Sequence, residues 1–379
     1  MKTDMTILIT GGHLTPAVAV MDEIATKHPT WRTVFVGRPY ALEGTTIPSE
    51  EERVIRKRGV AFFPLITGRF MRQVSIEALV SLFKVPLGVF GALGILARVR
   101  PMLVVSFGGY VALPVVVAAF MRGIPIITHE QTQDAGLANR IIARLARKVC
   151  VSFEETLSVF PEGKAVVTGL PLRRSLFGAP KKAAFPLPHD PGNIFYITGG
   201  ATGAASFNAI VYRALKDLLA QGTVVHQVGR YSYDEAVKVK RGLPPALRAR
   251  YIVRPYVDGD AYVWLLHRAH VVIGRAGANT VSELAALAKV AILVPLPWSA
   301  GGEQQKNAQW LAANGGAIVV SQKELDAKKL LRFITETLGS WERLSSRAKS
   351  FARLVPRDGA VRMAAEIEHL LALQSHSSL

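Results

Sequence analysis

The residues from Gly274 to Ala308, GRAGANTVSELAALAKVAILVPLPWSAGGEQQKNA, hold a set of groups that belong together chemically. Small residues after an apolar run let a backbone approach phosphates. Arg275 and the N–H groups of Ala278 and Asn279 can meet negative charge at a helix start. Glu283 can accept from ribose hydroxyls, and Gln304, Gln305 and Asn307, read as a polar loop, can bond the hydroxyls of a sugar. Together they describe a sugar-nucleotide pocket. Glu283 has a second reading of equal weight, because Thr280-Val-Ser-Glu283 spells a capping box in which the glutamate reaches back to its own helix start.

Other candidates punctuate the chain. Gly11-Gly12-His13 follows an apolar run, where glycines admit a phosphate to backbone N–H groups and a neutral imidazole can take a proton from a hydroxyl; a structural histidine is the plainer alternative. Gly108, Gly109 and Tyr110, and then His129, Glu130 and Gln131, close two further apolar runs. Gly199 to Gly203, with Gly200, Ala201 and Thr202 between, forms a second phosphate-loop candidate. It is not the GxGxxG dinucleotide fingerprint, which disfavours a nicotinamide enzyme. Asp258-Gly259-Asp260 looks like a metal-holding DxD run, but helix capping explains it without metal.

These groups need elements to hold them. ILITGGHLTPA from Ile7 and IFYITGGATGA from Ile194 repeat one pattern, an apolar strand running into Thr-Gly-Gly and a helix, as in a parallel α/β sheet. The fold class expected is therefore α/β, with two Rossmann-like domains facing across a cleft. Strands are expected at 33–36, 102–107, 124–128 and 149–152 in the first half, and at 223–228, 251–253, 271–273 and 291–296 in the second. The domains expected are 1–180, a Pro- and Gly-rich linker over 181–193, and 194–349, with a C-terminal helix at about 350–372 packing back on the first. Ser340 to Ala372 reads as helical and the tail SHSSL as disordered.

With 379 residues, half of them apolar, the chain has ample material for two cores. A single cysteine, Cys150, forms no internal disulfide and fits a reducing compartment. The N-terminus lacks the pattern of a signal peptide. The net charge of +18 calls for an anionic partner. No aromatic RNA-binding signature accompanies it, so nucleic acid is disfavoured. Between Arg69 and Arg100, basic residues punctuate an apolar, helix-compatible segment, which suits a membrane surface. Val85 to Ala97 is too short to span a bilayer, and Met102 to Met121 is broken by Ser106, Gly108, Gly109 and Pro114.

In order, GGHLTPAVAV, SFGGYVALP, HEQT, GLANR, GLPLR, TGGATGA, HQVG, GRAGANTVSELAA and EQQKNA give the chain a specific pattern. It resembles the MurG family, peptidoglycan N-acetylglucosaminyltransferases of the GT-B fold. The resemblance implies a metal-independent, inverting transfer of GlcNAc from UDP-GlcNAc to the muramyl C4 hydroxyl of lipid I, an undecaprenyl-pyrophosphoryl muramyl-pentapeptide. The acceptor would bind the N-terminal half, and no cofactor is implied. His13 would be the base or an acceptor-site residue, and Arg173 would lie at the donor. Tyr256 and Val257 would read the uracil, Glu283 would hold the ribose, and Gln304 with Gln305 would hold the GlcNAc hydroxyls. The segment from Arg69 to Arg100 matches the family's membrane-facing patch, placing the enzyme peripherally on the cytoplasmic face of the plasma membrane. Departures are a shortened first loop before His13, Ala201 and Thr202 for the usual Ser and Gln, and Leu170 and Thr132 for two usual Asn residues. Another polyprenyl or glycolipid acceptor, or a catalytically silent nucleotide-sugar binder, stands as the alternative.

Overall fold

The structure is a computed structural model that describes residues 5–40, 48–66, 76–178, 185–200, 203–257 and 259–377, with 76–85, 300 and 374–377 described by backbone alone. Ala201, Thr202, Asp258 and Arg69 lie outside the described residues. The chain divides into two compact units. Unit 1 comprises Met1–Arg173 and Arg357–Leu379, and unit 2 comprises Arg174–Pro356. The crossings thus fall at Arg173 and Pro356, against 180 and about 350 expected from composition.

In unit 1, seven strands form one parallel sheet: β1 (Thr6–Thr10), β2 (Arg32–Gly37), β3 (Ala61–Pro64), β4 (Leu103–Ser106), β5 (Ile126–Glu130), β6 (Lys148–Val151) and β7 (Ala165–Val167). Their spatial order is β3-β2-β1-β4-β5-β6-β7. Helices α1 (Leu14–Lys27), α2 (Glu50–Lys57), α3 (Ile76–Val99), α4 (Ala112–Met121) and α5 (Leu137–Leu145) connect them. Ile7, Leu8 and Ile9 are fully buried because helices cover both faces of a central parallel strand, so β1 reads as a continuous apolar run rather than an alternating one.

Unit 2 repeats the plan with β8 (Asn193–Thr198), β9 (Gly222–Gln227), β10 (Tyr251–Arg254), β11 (Val271–Gly274), β12 (Val290–Leu293) and β13 (Ala317–Val319), in the order β10-β9-β8-β11-β12-β13. Helices α6 (Ala205–Gln221), α7 (Tyr233–Arg241), α8 (Pro245–Arg248), α9 (Gly259–Arg268), α10 (Ala278–Ala286), α11 (Glu303–Asn314), α12 (Ala327–Gly339) and α13 (Trp341–Ala352) complete it. Its core joins Phe195, Phe207, Leu218, Tyr251 and Ile292. Each such fully buried side chain contributes roughly 1.5–3 kcal/mol.

The C-terminal segment is not one helix. It breaks around Pro356, and α14 (Gly359–Ser377) returns to unit 1, where Ala360, Met363, Ile367 and Leu371 share a core with Ile7, Val20 and Phe35. Gly359 permits the return: a Cβ there would stand 2.5 Å from the Leu170 carbonyl oxygen. Because α14 runs to Ser377, the first three residues of the SHSSL tail are helical, against the disorder expected. Among the described residues no helix is long and apolar enough to cross a membrane.

Both sheets reverse direction of winding beside their first strand, between β1 and β4 in unit 1 and between β8 and β11 in unit 2. In open α/β sheets the crevice beyond the strand ends at such a reversal is where ligands bind. Thr10 is in register with Ser106 and Thr198 with Gly274, so the two loops flanking each reversal leave their strands at one level.

Candidate functional site

In unit 1 the reversal brings Gly11-Gly12-His13 against Gly108-Gly109. Gly12 N donates to the Gly108 carbonyl at 2.9 Å. Gly11 has φ +148°, and a Cβ there would lie 2.7 Å from the Phe107 backbone. Gly108 and Gly109 both take left-handed conformations, with φ +66° and +79°, and a Cβ on Gly108 would overlap the Asn139 amide. Gly12 is exposed and unstrained, which leaves its face open to a ligand.

His13 is half-buried at the N-cap of α1, where its side chain makes no capping bond. The Gln131 amide nitrogen donates instead to its Nδ1 at 2.8 Å. Desolvation at the strand ends pushes the His13 pKa down to about 4, so the ring is neutral at physiological pH. His129 is more deeply buried and pushed down to about 3; its Nε2 lies 3.3 Å from the Gly169 carbonyl and 3.4 Å from Ser152 Oγ.

Glu130, read as an acceptor ligand, is committed to its own loop. It accepts from Thr132 N at 2.9 Å, Thr132 Oγ1 at 2.6 Å and Asn139 Nδ2 at 2.7 Å, and burial raises its pKa. Its role is to set the loop after β5 and to hold Asn139 against Gly108. Asn139 sits in the GLANR run, yet sequence gave it no role, since its significance lies in a contact 31 residues away in the chain. Tyr110 receives Arg38 Nη1 at 3.5 Å, and Arg38 is held by two bonds to Glu51, of 2.6 and 3.0 Å.

In unit 2 the reversal brings Thr198, at the start of the Gly199-Gly200 turn, beside Gly274. Gly200 N donates to Thr198 Oγ1 at 3.1 Å and Gly203 N to the Gly200 carbonyl at 3.2 Å. A Cβ on Gly274 would stand 2.6 Å from the Thr198 carbonyl, so the two strand ends touch. Gln227, not singled out by sequence, ties the candidates together: its amide donates to Gly200 O at 3.0 Å and accepts from Val257 N at 3.0 Å and Tyr196 OH at 3.1 Å. It thereby fixes the glycine loop relative to Tyr256-Val257.

The capping-box reading of Glu283 fails. Gly277 is the N-cap of α10, and Thr280 lies inside the helix, so Glu283 sits in the second turn and does not reach back to a cap. It is buried and accepts from Tyr262 OH at 2.5 Å, a contact between α9 and α10. The first N–H groups of α10, on Ala278, Asn279 and Thr280, precede its first intrahelical bond, Val281 N to Gly277 O. Arg275 is buried, donates to the Val294 carbonyl at 3.0 Å and lies over the Phe207 ring, and burial lowers its pKa.

EQQKNA is also not a loop, because Glu303 opens α11. Gln304 Oε1 accepts from Leu296 N at 3.0 Å, which leaves its NH2 group to donate; Gln305 is exposed; Asn307 is buried and donates to the Ala276 carbonyl at 3.2 Å. Trp298, at 71% exposure on the turn tied by Leu296 O and Ser299 N, stands beside these amides in the chain and escaped sequence reasoning. Arg173 belongs to unit 1, unlike the remaining donor candidates. Asp260 lies in the first turn of α9, and among the described residues no group of three or more His, Cys, Asp or Glu could hold a metal.

The chain's likenesses fit this arrangement. The glycosyltransferase family 28 N-terminal domain matches residues 6–151 and the family 28 C-terminal domain residues 194–363. A UDP-N-acetylglucosamine–N-acetylmuramyl-(pentapeptide) pyrophosphoryl-undecaprenol N-acetylglucosamine transferase of Desulfotalea psychrophila is 35% identical over 367 residues, covering 96% of this chain and 95% of the relative. The enzyme of the same name from Salinibacter ruber is 34% identical, with 94% of each chain covered. Among solved structures, MurG of Acinetobacter baumannii superposes with a TM-score of 0.68 at 25% identity, covering 96% of this chain and 99% of that one. The calicheamicin glycosyltransferase CalG4, at 15% identity and a TM-score of 0.68, shares the fold. With both family domains present in order and relatives matched along nearly their whole length, the chain belongs to the MurG family of family 28 glycosyltransferases.

Proposed function

We propose that the chain transfers GlcNAc from UDP-GlcNAc to the C4 hydroxyl of the muramyl sugar of lipid I, giving lipid II and UDP with inversion at the anomeric carbon. The observation that carries this reading is the near full-length match to enzymes named for that transfer. Unit 1 binds the acceptor: Gly11, Gly12, Gly108 and Gly109 admit its pyrophosphate to backbone N–H groups, and Tyr110, His129 and Gln131 line the same strand ends. Glu130 acts by holding that loop. His13, neutral and uncapped, takes the proton of the C4 hydroxyl as its oxygen attacks C1.

Unit 2 binds the donor. Glu283, oriented by Tyr262, accepts from the ribose hydroxyls, and Val257 with Tyr256 meets the uracil. Gly200 and Gly203 approach the diphosphate. As the bond from C1 to the diphosphate oxygen breaks, the charge left on UDP meets Arg275 and the N–H groups of Ala278 and Asn279 at the start of α10. These donors serve the leaving group without a metal. Gln304 and Gln305 hold the GlcNAc hydroxyls, and Arg173 binds the donor.

The acceptor carries a polyprenyl chain, so the enzyme must work at a membrane. Leu87 and Phe90 on α3 are 68% and 71% exposed, and Leu65, next to exposed Ile66, shares a core with Ala92 and Leu96 of the same helix. This apolar face, with the excess of basic charge, supports peripheral attachment to an anionic cytoplasmic leaflet. Radiolabelled UDP-GlcNAc supplied with lipid I tests the reading: label should enter lipid II, and His13→Ala and Glu283→Ala should each lower turnover at least a hundredfold. Label reaching only a different lipid would reject it.

A further inference from the structure

Gln131 has two features that bear on His13. The Gln131 amide nitrogen is 2.8 Å from His13 Nδ1. Gln131 Oε1 is buried and has no hydrogen-bond partner. A buried polar atom without a partner is costly unless it has a use.

The contact decides which nitrogen of His13 carries the proton. With an amide N–H donating to Nδ1, the neutral ring has its proton on Nε2, and that nitrogen can donate but cannot accept. A base needs the opposite tautomer, with the lone pair on Nε2. Turning the Gln131 amide by half a turn about its last torsion keeps its volume and brings Oε1 to face Nδ1, which then carries the proton and donates it. The unpartnered oxygen is thus the group that the base-competent tautomer requires.

We propose that Gln131 is a positioning residue for the transfer, whose amide oxygen accepts from His13 Nδ1–H in the working state and so leaves Nε2 free to take the acceptor proton. The proposal rests on the reading of His13 as the base. The other titratable groups at these strand ends are otherwise engaged. His129 Nε2 faces the Gly169 carbonyl, the Glu130 carboxylate is bonded to Thr132 and Asn139, and Tyr110 receives Arg38. An uncharged partner also suits the task, since a carboxylate there would favour the charged imidazolium and hold the base in its spent form at neutral pH.

Gln131→Glu and Gln131→Met separate the parts of this proposal. Glutamate still accepts from Nδ1–H: turnover should stay within about tenfold of wild type, while the acid limb of kcat/KM moves to higher pH as the carboxylate stabilises the imidazolium. Methionine keeps the volume and loses the tautomer control: kcat should fall about 10²–10⁴-fold, the range of a misdirected general base, with KM for UDP-GlcNAc within about twofold. Nitrogen-15 NMR of the His13 ring provides a readout independent of activity. The wild type with an acceptor analogue should show a non-protonated Nε2, and Gln131→Met should lose that preference. An unmoved acid limb in Gln131→Glu, or an unchanged tautomer in Gln131→Met, overturns the role of Gln131. Wild-type turnover in His13→Gln would instead overturn the base reading on which it rests. If Gln131→Met does not fold, the acid limb of Gln131→Glu still decides.

Discussion

Glu283 is the residue on which the donor reading turns, and Tyr262 decides what it can do. A buried carboxylate takes the orientation of its strongest donor, and the Tyr262 hydroxyl at 2.5 Å is such a donor to Glu283. Tyr262→Phe removes that donor without changing the ring packed near Tyr196, so UDP should bind about 3–10-fold more weakly by calorimetry while kcat changes little. An unchanged affinity would separate Glu283 from the nucleotide. His13 carries a second residue-scale prediction. Because its pKa is lowered to about 4, the acid limb of kcat/KM for the free enzyme should fall near pH 4 to 5, well below the 6.5 of an unperturbed imidazole. Sequence offers both residues as candidates but does not place them. The TVSE pattern of a capping box is the same string whether or not Thr280 is the cap, and here the cap is Gly277, three residues earlier.

The elements around each reversal separate glycines that the backbone requires from glycines that leave room beside them. Gly11→Ala forces a Cβ against Phe107 at a backbone angle that alanine avoids, and the melting temperature should drop by several degrees. Gly12→Ala has room, its nearest neighbour being Gly109 Cα at 3.9 Å, so stability should be retained while KM for the acceptor rises. Equal melting losses in both variants would contradict the open phosphate cradle at Gly12. The central strands were legible as apolar runs because they are buried on both faces. β3, β7 and β13 were not, for a physical reason: each is a short edge strand of three or four residues, paired on one side only, with too few apolar positions to stand out from a loop. α11 was read as a loop because EQQKN is polar throughout; its helix is anchored by the buried Asn307, Ala308 and Leu311 one to two turns later. Gln227 and Asn139 were illegible for another reason, since their partners are contributed by distant parts of the chain.

At the scale of the whole molecule, charge and acid stability separate the two units' cores from their surfaces. The compact basic run on α2 is answered by acids, with Arg53 bonded to Glu50, Arg56 to Glu52 and Arg58 to Asp22, so the net charge resides in the dispersed Lys and Arg residues. Each unit also buries a neutral histidine, His129 in one and His226 in the other, both lowered to about 3 by burial. Between pH 6.5 and 3 the unfolded chain takes up protons that the folded chain refuses. Stability therefore falls as pH falls through that window, with each histidine adding up to about 1.4 kcal/mol per pH unit to the slope. Urea midpoints measured from pH 7 to 4 should show this decline; flat midpoints would contradict it. Full-length protein on anionic vesicles carrying lipid I, supplied with labelled UDP-GlcNAc, should release UDP and yield a lipid heavier by one N-acetylhexosamine, with inverted configuration at its new linkage. Release of UDP without a labelled lipid, or labelling only of a lipid other than lipid I, would contradict the proposed transfer.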